Sequence, residues 1–527
     1  MTERLSLSQL DASTAVSAGA GVDADAAVGA GAAFAARVAS GDRVGEAVVD
    51  RGVTGPAVDP RSLRVGIVHL GIGAFHRAHQ AFYTELAAAV TGDLRWGICG
   101  VTERSAAVVD QLAPQDCLYT VLERGAGAAP PRVIGSVREV LFAGTAADQV
   151  VDRIADPAVS VVTLTVTEKG YRRNPAGRLD RTDATVAADL AGQAPRSVVG
   201  QIARGLQRRQ ARSGAPLTVL SCDNLTGNGP VLRALVEDFC AALPSAEGDR
   251  LAGWINSSVR FPATMVDRIV PATTDADRAT VRAALGLDDA ATVVAEPFRQ
   301  WVVQDDFAGP RPAWERAGAL LVPDVTPYEQ VKLRVLNAAH SLLAYSGALA
   351  GYDLISEAVA DEGLAAAARA LMTEDAVPTL DPPAGLVLAD YVDEVLGRFA
   401  NPALRHRTVQ IAMDGSQKLP VRLLGTITDR LRAGAEPYWA TRGVAAWMAY
   451  VAARQDRRGR PLPVDDPLAA TLAAATAGVE SPAGLVDGLL AVRQIFPAEL
   501  AASTTFRNLL IPELAELLSN VGVPTGT

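Results

Sequence analysis

The chain has 527 residues, 49% apolar and 20% charged, which is the balance of a globular protein too long for one small core. Its net charge of -10 argues against nucleic-acid and membrane-surface partners, since both select basic surfaces. No apolar run approaches the ~20 residues of a membrane span. Cys99, Cys117, Cys222 and Cys240 lack zinc-type spacing, so reduced thiols in a cytoplasmic protein are expected.

Residues 1–60 are Ala/Gly-rich, interrupted by Asp, and have no basic segment before an apolar core. They read as a partly disordered extension rather than a signal peptide. From residue 61 the texture becomes α/β. "LRVGIVHLG" reads as a strand ending in glycine, and "AFHRAHQAFYTELAAAV" as the helix after it. "RWGICGV", "AVSVVTLTVT" (158–167) and "PLTVLSC" (216–222) read as further strands. Continuous β-branched runs alternating with helices predict a parallel sheet covered on both faces, over 61–300. Beyond 300, helical periodicity dominates "TPYEQVKLRVLNAAHSLLAYSGAL" and four later segments, predicting an all-α domain over 301–520.

Ligands of open α/β sheets sit at the carboxyl ends of the strands. Three of those ends carry polar groups: "HLGIGAFHRAH", "TVTEKGY" and "SCDNLTGNG". Gly71 and Gly73 fit the tight turn and the close approach of a dinucleotide loop, but His76 stands where a third glycine is expected. The acidic partner of the adenosine ribose should follow the second strand. Asp93 precedes that strand and is rejected, which leaves Glu103 and favours NAD. Arg104 beside it keeps NADP open.

Arginine supplies nearly all the positive charge, and only Lys169, Lys332 and Lys418 are lysines. An ammonium can give up its proton and a guanidinium cannot, so these positions are candidates for chemistry. In "YEQVKLRVLNAAH" (328–340) an ideal helix of ~100° per residue puts Lys332, Glu329, His340 and Asn337 at about 0°, 60°, 80° and 140°. Leu333 and Leu336 share that face, so the polar groups should point into an apolar cleft. Desolvation would tune Lys332 towards a general base. Asn337 would donate to a developing alkoxide, His340 would hold a substrate hydroxyl, and Glu329 would pass the proton to solvent. The ordinary alternative is a surface helix with solvated charges.

"KLRVLNAAHS" resembles the lysine-x4-asparagine-x2-histidine signature of the polyol-specific long-chain dehydrogenases, the mannitol dehydrogenase family. The resemblance runs from about residue 61 to beyond 450 through "GIVHLGIGAFHRAHQAFY", "QDCLYTV", "LTVTEKGY", "SCDNLTGNG", "FPATMVDRIVPAT" and "EPFRQWVVQDDF". It implies a Rossmann-type N-terminal domain, a helical C-terminal domain, and metal-free, NAD(P)-dependent oxidation of a secondary alcohol. It makes Lys332 the base with Glu329 as relay, and Asn224 and Asn337 the pair binding the reacting oxygen. Asp267 and His340 contact substrate hydroxyls, and Glu168 and Lys169 line the nicotinamide side. Gly71, Gly73, Ala74, Phe75 and Glu103 fall on the cofactor side. His76 and Arg77 match the phosphate-side loop or serve packing.

"LRHRT-x-QIAMDGSQKLP" (404–420) resembles fructuronate reductases (D-mannonate oxidoreductases) more than mannitol 2-dehydrogenases, which usually carry arginine where Gln410 stands. Lys418 and Arg405 are the expected substrate-binding cations, because a buried carboxylate needs a cation or several donors. The resemblance implies reduction of D-fructuronate to D-mannonate with NADH, with mannitol–fructose interconversion as the alternative. A silent sugar-binding protein and a metal-dependent lyase using Glu329 and His340 are the readings from other classes. A monomer or weak oligomer is expected, acting on a small molecule.

Overall fold

In the computed structural model, residues 3–13, 48–49 and 52–523 are described. The apolar runs form Val65–Leu70, Gly97–Thr102, Val161–Leu164 and Leu217–Ser221. With Val137–Phe142 and Val259–Arg260 they make a six-stranded sheet. Every neighbouring pair is parallel. Numbered in chain order, the strands lie 3-2-1-4-5-6, the order of a dinucleotide-binding sheet. The reversal falls between Val65–Leu70 and Val161–Leu164. Both flanking layers have apolar cores, one including Val150, Ile202 and Leu235, the other Tyr83, Trp301 and Trp314. Strands buried on both faces are mostly apolar, which is why they read as near-continuous runs.

The "AFHRAHQAFYTELAAAV" helix is in fact two, Ala74–Ala78 and Gln80–Thr91. His79 leaves helical geometry at the junction (φ -125°, ψ -86°), and its Nε2 lies 2.9 Å from the Gln300 carbonyl. The strand expected over 158–167 stops at Leu164, where the chain turns out of the sheet.

Two compact units meet in the sequence at Val325/Thr326, later than the residue 300 read from the sequence. The reason is sheet pairing: Gln300–Gln304 pairs with Thr264–Asp267 and with Leu320–Val322, so this stretch belongs to the first unit. The reading of 1–60 as an extension is also corrected where it is described. Leu5 and Leu10 are buried with Val53, Leu122 and Val294, and the Leu5 N–H donates to the Asp288 carbonyl at 2.9 Å. Residues 14–47, which carry most of the Ala/Gly-rich stretch, lie outside the described residues.

The second unit is helical around its own core, which includes Leu343, Tyr345, Trp447 and Phe496. Its first segment is not one regular α-helix. Thr326–Val331 and Ala338–Leu349 are α-helical, but Lys332–Asn337 between them is π-helical. Two more π segments, Leu371–Ala376 and Pro420–Leu424, pack against this one. Among the described residues no helix is long and apolar enough to cross a membrane.

Candidate active site

In the first unit, candidate residues gather at the carboxyl edge beside the strand-order reversal. Gly71 turns the chain with φ 93°, and a Cβ there would lie 2.2 Å from the Thr165 carbonyl oxygen. Only glycine fits. Gly71→Ala is therefore expected to lose on the order of 1–3 kcal/mol from backbone strain alone. Chemical denaturation reads the loss, and an unchanged midpoint would contradict this geometry. Gly73, whose added Cβ would meet nothing closer than 3.8 Å, precedes the short helix that begins with Ala74 and Phe75.

His76, at the expected third-glycine position, is fully buried and stacks on His69 with ring centroids 3.4 Å apart. His69 Nδ1 lies 2.7 Å from Thr163 Oγ1. Burial, followed by the nearby His69, Arg77 and His79, drives the His76 pKa well below the ordinary histidine value. Arg77 is buried too and donates to the carbonyls of Gly73 and Ala291. These contacts make His76 and Arg77 packing groups beneath the loop.

Glu103 directly follows the second strand. Its Oε2 accepts from Gln201 Nε2 at 2.9 Å, while Oε1 is occluded and has no hydrogen-bond partner. Burial pushes its carboxyl pKa up to about 7, against the opposing Gln201 hydrogen bond. A buried acceptor without a donor costs free energy unless a ligand supplies one, and a ribose hydroxyl is such a donor. The residues present therefore fit a nicotinamide dinucleotide.

Glu168 and Lys169 are exposed on the turn Glu168–Tyr171. Asn224 is exposed on the loop after Leu217–Ser221, and Asp267 is buried at the end of Thr264–Asp267. The backbone joins these edges: Thr165 N–H donates to Leu70 O, and Cys222 N–H to Leu164 O.

In the second unit, Lys332, Asn337 and His340 are 5%, 9% and 7% exposed. A π register joins residues five apart, as in the Ala338 N–H bond to the Leu333 carbonyl. A wider π turn brings Lys332 and Asn337, five apart, nearer to one face than a regular helix, which would separate them by about 140°. Glu329 is half-buried on the preceding turn. Arg422, from the π segment Pro420–Leu424, donates to the Asn337 carbonyl at 3.4 Å and to Ser341 Oγ at 3.0 Å.

His340 packs between Phe399 (ring centroids 4.8 Å) and His406 (5.0 Å), and its Nε2 has no hydrogen-bond partner. Burial drives its pKa well below the ordinary histidine value, followed by the nearby His406, Arg422, Lys418 and Arg398. Burial also lowers His406, to about 4, with Lys418 adding to the shift. Lys418 Nζ donates to the Ile411 carbonyl at 3.2 Å. Arg405 is exposed, with φ 47°. Arg422 and Arg398 lie near His340 and were not singled out from the sequence, because one arginine is indistinguishable from another in an arginine-rich chain. The sequence reading also passed over Asp223, the residue just before Asn224.

The sheet order places the first unit among dinucleotide-binding folds. Residues 65–316 match the mannitol dehydrogenase Rossmann domain, and residues 324–518 match the mannitol dehydrogenase C-terminal domain. The chain belongs to the mannitol dehydrogenase family of oxidoreductases. It is 43% identical to an uncharacterized oxidoreductase, YeiQ, of Escherichia coli (strain K12), over 86% of this chain and 92% of that one. Identity to the D-mannonate oxidoreductase of the same organism is 41%, over 86% and 93%. Among solved structures, the Pseudomonas fluorescens mannitol 2-dehydrogenase in ternary complex with NAD and D-mannitol is 36% identical. The TM-score is 0.81, covering 89% of this chain and 96% of that one.

Proposed function

We propose that the protein is a metal-independent, NAD-dependent dehydrogenase of open-chain sugar acids, interconverting D-mannonate and D-fructuronate. The observation that carries the acid substrate is the set of cations near His340: Arg398, Lys418 and Arg422, the last bonded to the Asn337 carbonyl and Ser341 Oγ. A sugar acid brings a carboxylate whose burial requires charged or multiple donors, whereas a neutral hexitol needs only hydroxyl partners. Mannitol 2-dehydrogenase activity is the second reading, favoured by the likeness to the enzyme solved with NAD and D-mannitol.

Gly71, Gly73, Ala74 and Phe75 line the nucleotide side in this reading, and Glu103 accepts from the ribose. The bound nucleotide supplies the hydride acceptor for the carbinol carbon. Lys332 takes the hydroxyl proton, which Glu329 passes to solvent. Asn224 and Asn337 donate N–H groups to the oxygen as negative charge develops on it. Neutral His340 turns its unpartnered Nε2 to a substrate hydroxyl, and Asp267 accepts from another. Glu168 and Lys169 border the nicotinamide. Lys418, with Arg398 rather than the exposed Arg405, meets the carboxylate, while Arg422 braces the Asn337 segment.

The test is side-by-side kinetics on fructuronate, fructose, tagaturonate and xylulose at matched NADH, with and without EDTA. The highest kcat/KM for fructuronate, insensitive to EDTA, is expected. A value for fructose equal to or above it would overturn the acid substrate in favour of the second reading. No NADH consumption with any of the four would sink the dehydrogenase.

Glu103 predicts a pH dependence. A ribose hydroxyl donates to the carboxylate but not to the protonated acid oxygen, so binding favours the ionised form. With the free carboxyl near 7, NAD affinity should rise about tenfold from about pH 6 to above pH 7 and then level off. Glu103→Gln should flatten that profile and weaken NAD more than NADP. The same profile in the variant would assign the ribose to another acceptor.

A further inference from the structure

Thr167 has φ 67° and ψ 162°. This backbone region is essentially reserved for glycine, and a β-branched residue there is strained. Such a conformation persists only where its surroundings over-determine it. The backbone restraint here comes from a side chain of the next loop, while Arg104 Nη2 donates to Thr167 Oγ1 at 3.4 Å. Asp223 Oδ1 accepts the Thr167 N–H at 2.9 Å, and Oδ2 accepts the Val166 N–H at 3.1 Å and the Tyr171 hydroxyl at 2.7 Å. Tyr171 gives its proton to Asp223, so Ser221 is the donor in their 2.6 Å contact.

The main chain of Asp223 is braced as well. Its carbonyl accepts from the Leu225 N–H at 2.8 Å and from Asn228 Nδ2 at 3.0 Å. Asn228 also donates to the Thr264 carbonyl at 2.8 Å and accepts the Thr264 N–H at 3.0 Å. One carboxylate thus ties the turn bearing Glu168 and Lys169 to the loop bearing Asn224. Through Asn228 the network reaches the strand that ends in Asp267.

We propose that Asp223 is a positioning residue for the dehydrogenation, holding the Val166–Thr167 turn so that Glu168 and Lys169 keep register with Asn224. The inference rests on the function proposed above. An asparagine at 223 has one acceptor oxygen where two backbone N–H groups need one each, so Asp223→Asn releases one of them. Glycine at 167 adopts the same backbone without strain, so Thr167→Gly removes the need for the restraint.

The experiment compares wild type, Asp223→Asn, Thr167→Gly and the double variant. Amide hydrogen exchange is read on the 165–171 segment, alongside kcat, KM and the NADH dissociation constant. Asp223→Asn should speed exchange of the turn and lower kcat by about tenfold or more, with NADH affinity within about twofold. The double variant should regain most of both protection and kcat relative to Thr167→Gly. A catalytic or merely packing role for Asp223 gives no such rescue. Wild-type kcat in Asp223→Asn, or a loss that glycine fails to restore, overturns the proposal. Unchanged exchange overturns the restraint itself. Should Asp223→Asn not fold, Tyr171→Phe removes one bond from the same carboxylate and must give a smaller effect of the same kind. A wild type that oxidises no alcohol rejects the proposed function, while exchange still reads whether Asp223 holds the turn.

Discussion

Lys332→Ala should lower turnover by about 10²–10⁴-fold, the range of a removed general base, with nucleotide affinity unchanged. Lys332 is buried in the π segment that ends at Asn337. The nucleotide candidates lie in the other unit, so a binding titration separates loss of the base from loss of the cofactor. Lys332→Arg is the sharper control. It keeps the positive charge and much of the volume but cannot release a proton, so it should be as inactive as alanine. Turnover within a few fold of wild type in either variant would remove Lys332 from the chemical step.

Lys418→Met should lower kcat/KM for the sugar acid by about 10- to 100-fold, consistent with about 1.5–3 kcal/mol for a hydrogen bond to a charged group. Activity on a neutral hexulose should change far less. The variant also loses the 3.2 Å bond from Nζ to the Ile411 carbonyl, but a disturbed segment would damage both substrates alike. Arg422 provides the contrast. It holds the Asn337 carbonyl and Ser341 Oγ, so Arg422→Met should impair acid and hexulose together. Equal losses on both substrates in Lys418→Met would sink the carboxylate assignment.

Local signals carried the sequence reading a long way. Strands buried on both faces are mostly apolar, so Val65–Leu70 and Leu217–Ser221 are visible as runs. The turn at Gly71 needs a residue without a Cβ, and glycine is visible too. The scarcity of lysine marked Lys169, Lys332 and Lys418 before any contact was known; of these Lys332 is buried, Lys418 half-buried and Lys169 exposed.

The remainder depended on contacts between segments distant in the chain. Periodicity counts side chains on an assumed α-helix and is blind to hydrogen-bond register, so the π segment Lys332–Asn337 was read as regular helix. Leu5 and Leu10 looked like part of a loose extension because the apolar surface that buries them comes from residues beyond 50. The first unit extends to Val325 because Gln300–Gln304 returns to pair with Thr264–Asp267 and Leu320–Val322 then pairs with it, pairings with no local signature. Arg422 and Arg398 differ from the other arginines only in what surrounds them, and Asp223 differs from other loop aspartates only in holding a strained turn 56 residues away. Residue type and short-range spacing, written in the sequence itself, determined which groups this protein has for its chemistry. Only tertiary packing decided which of them are desolvated, aligned and held, because those properties belong to the neighbours a side chain meets in the fold.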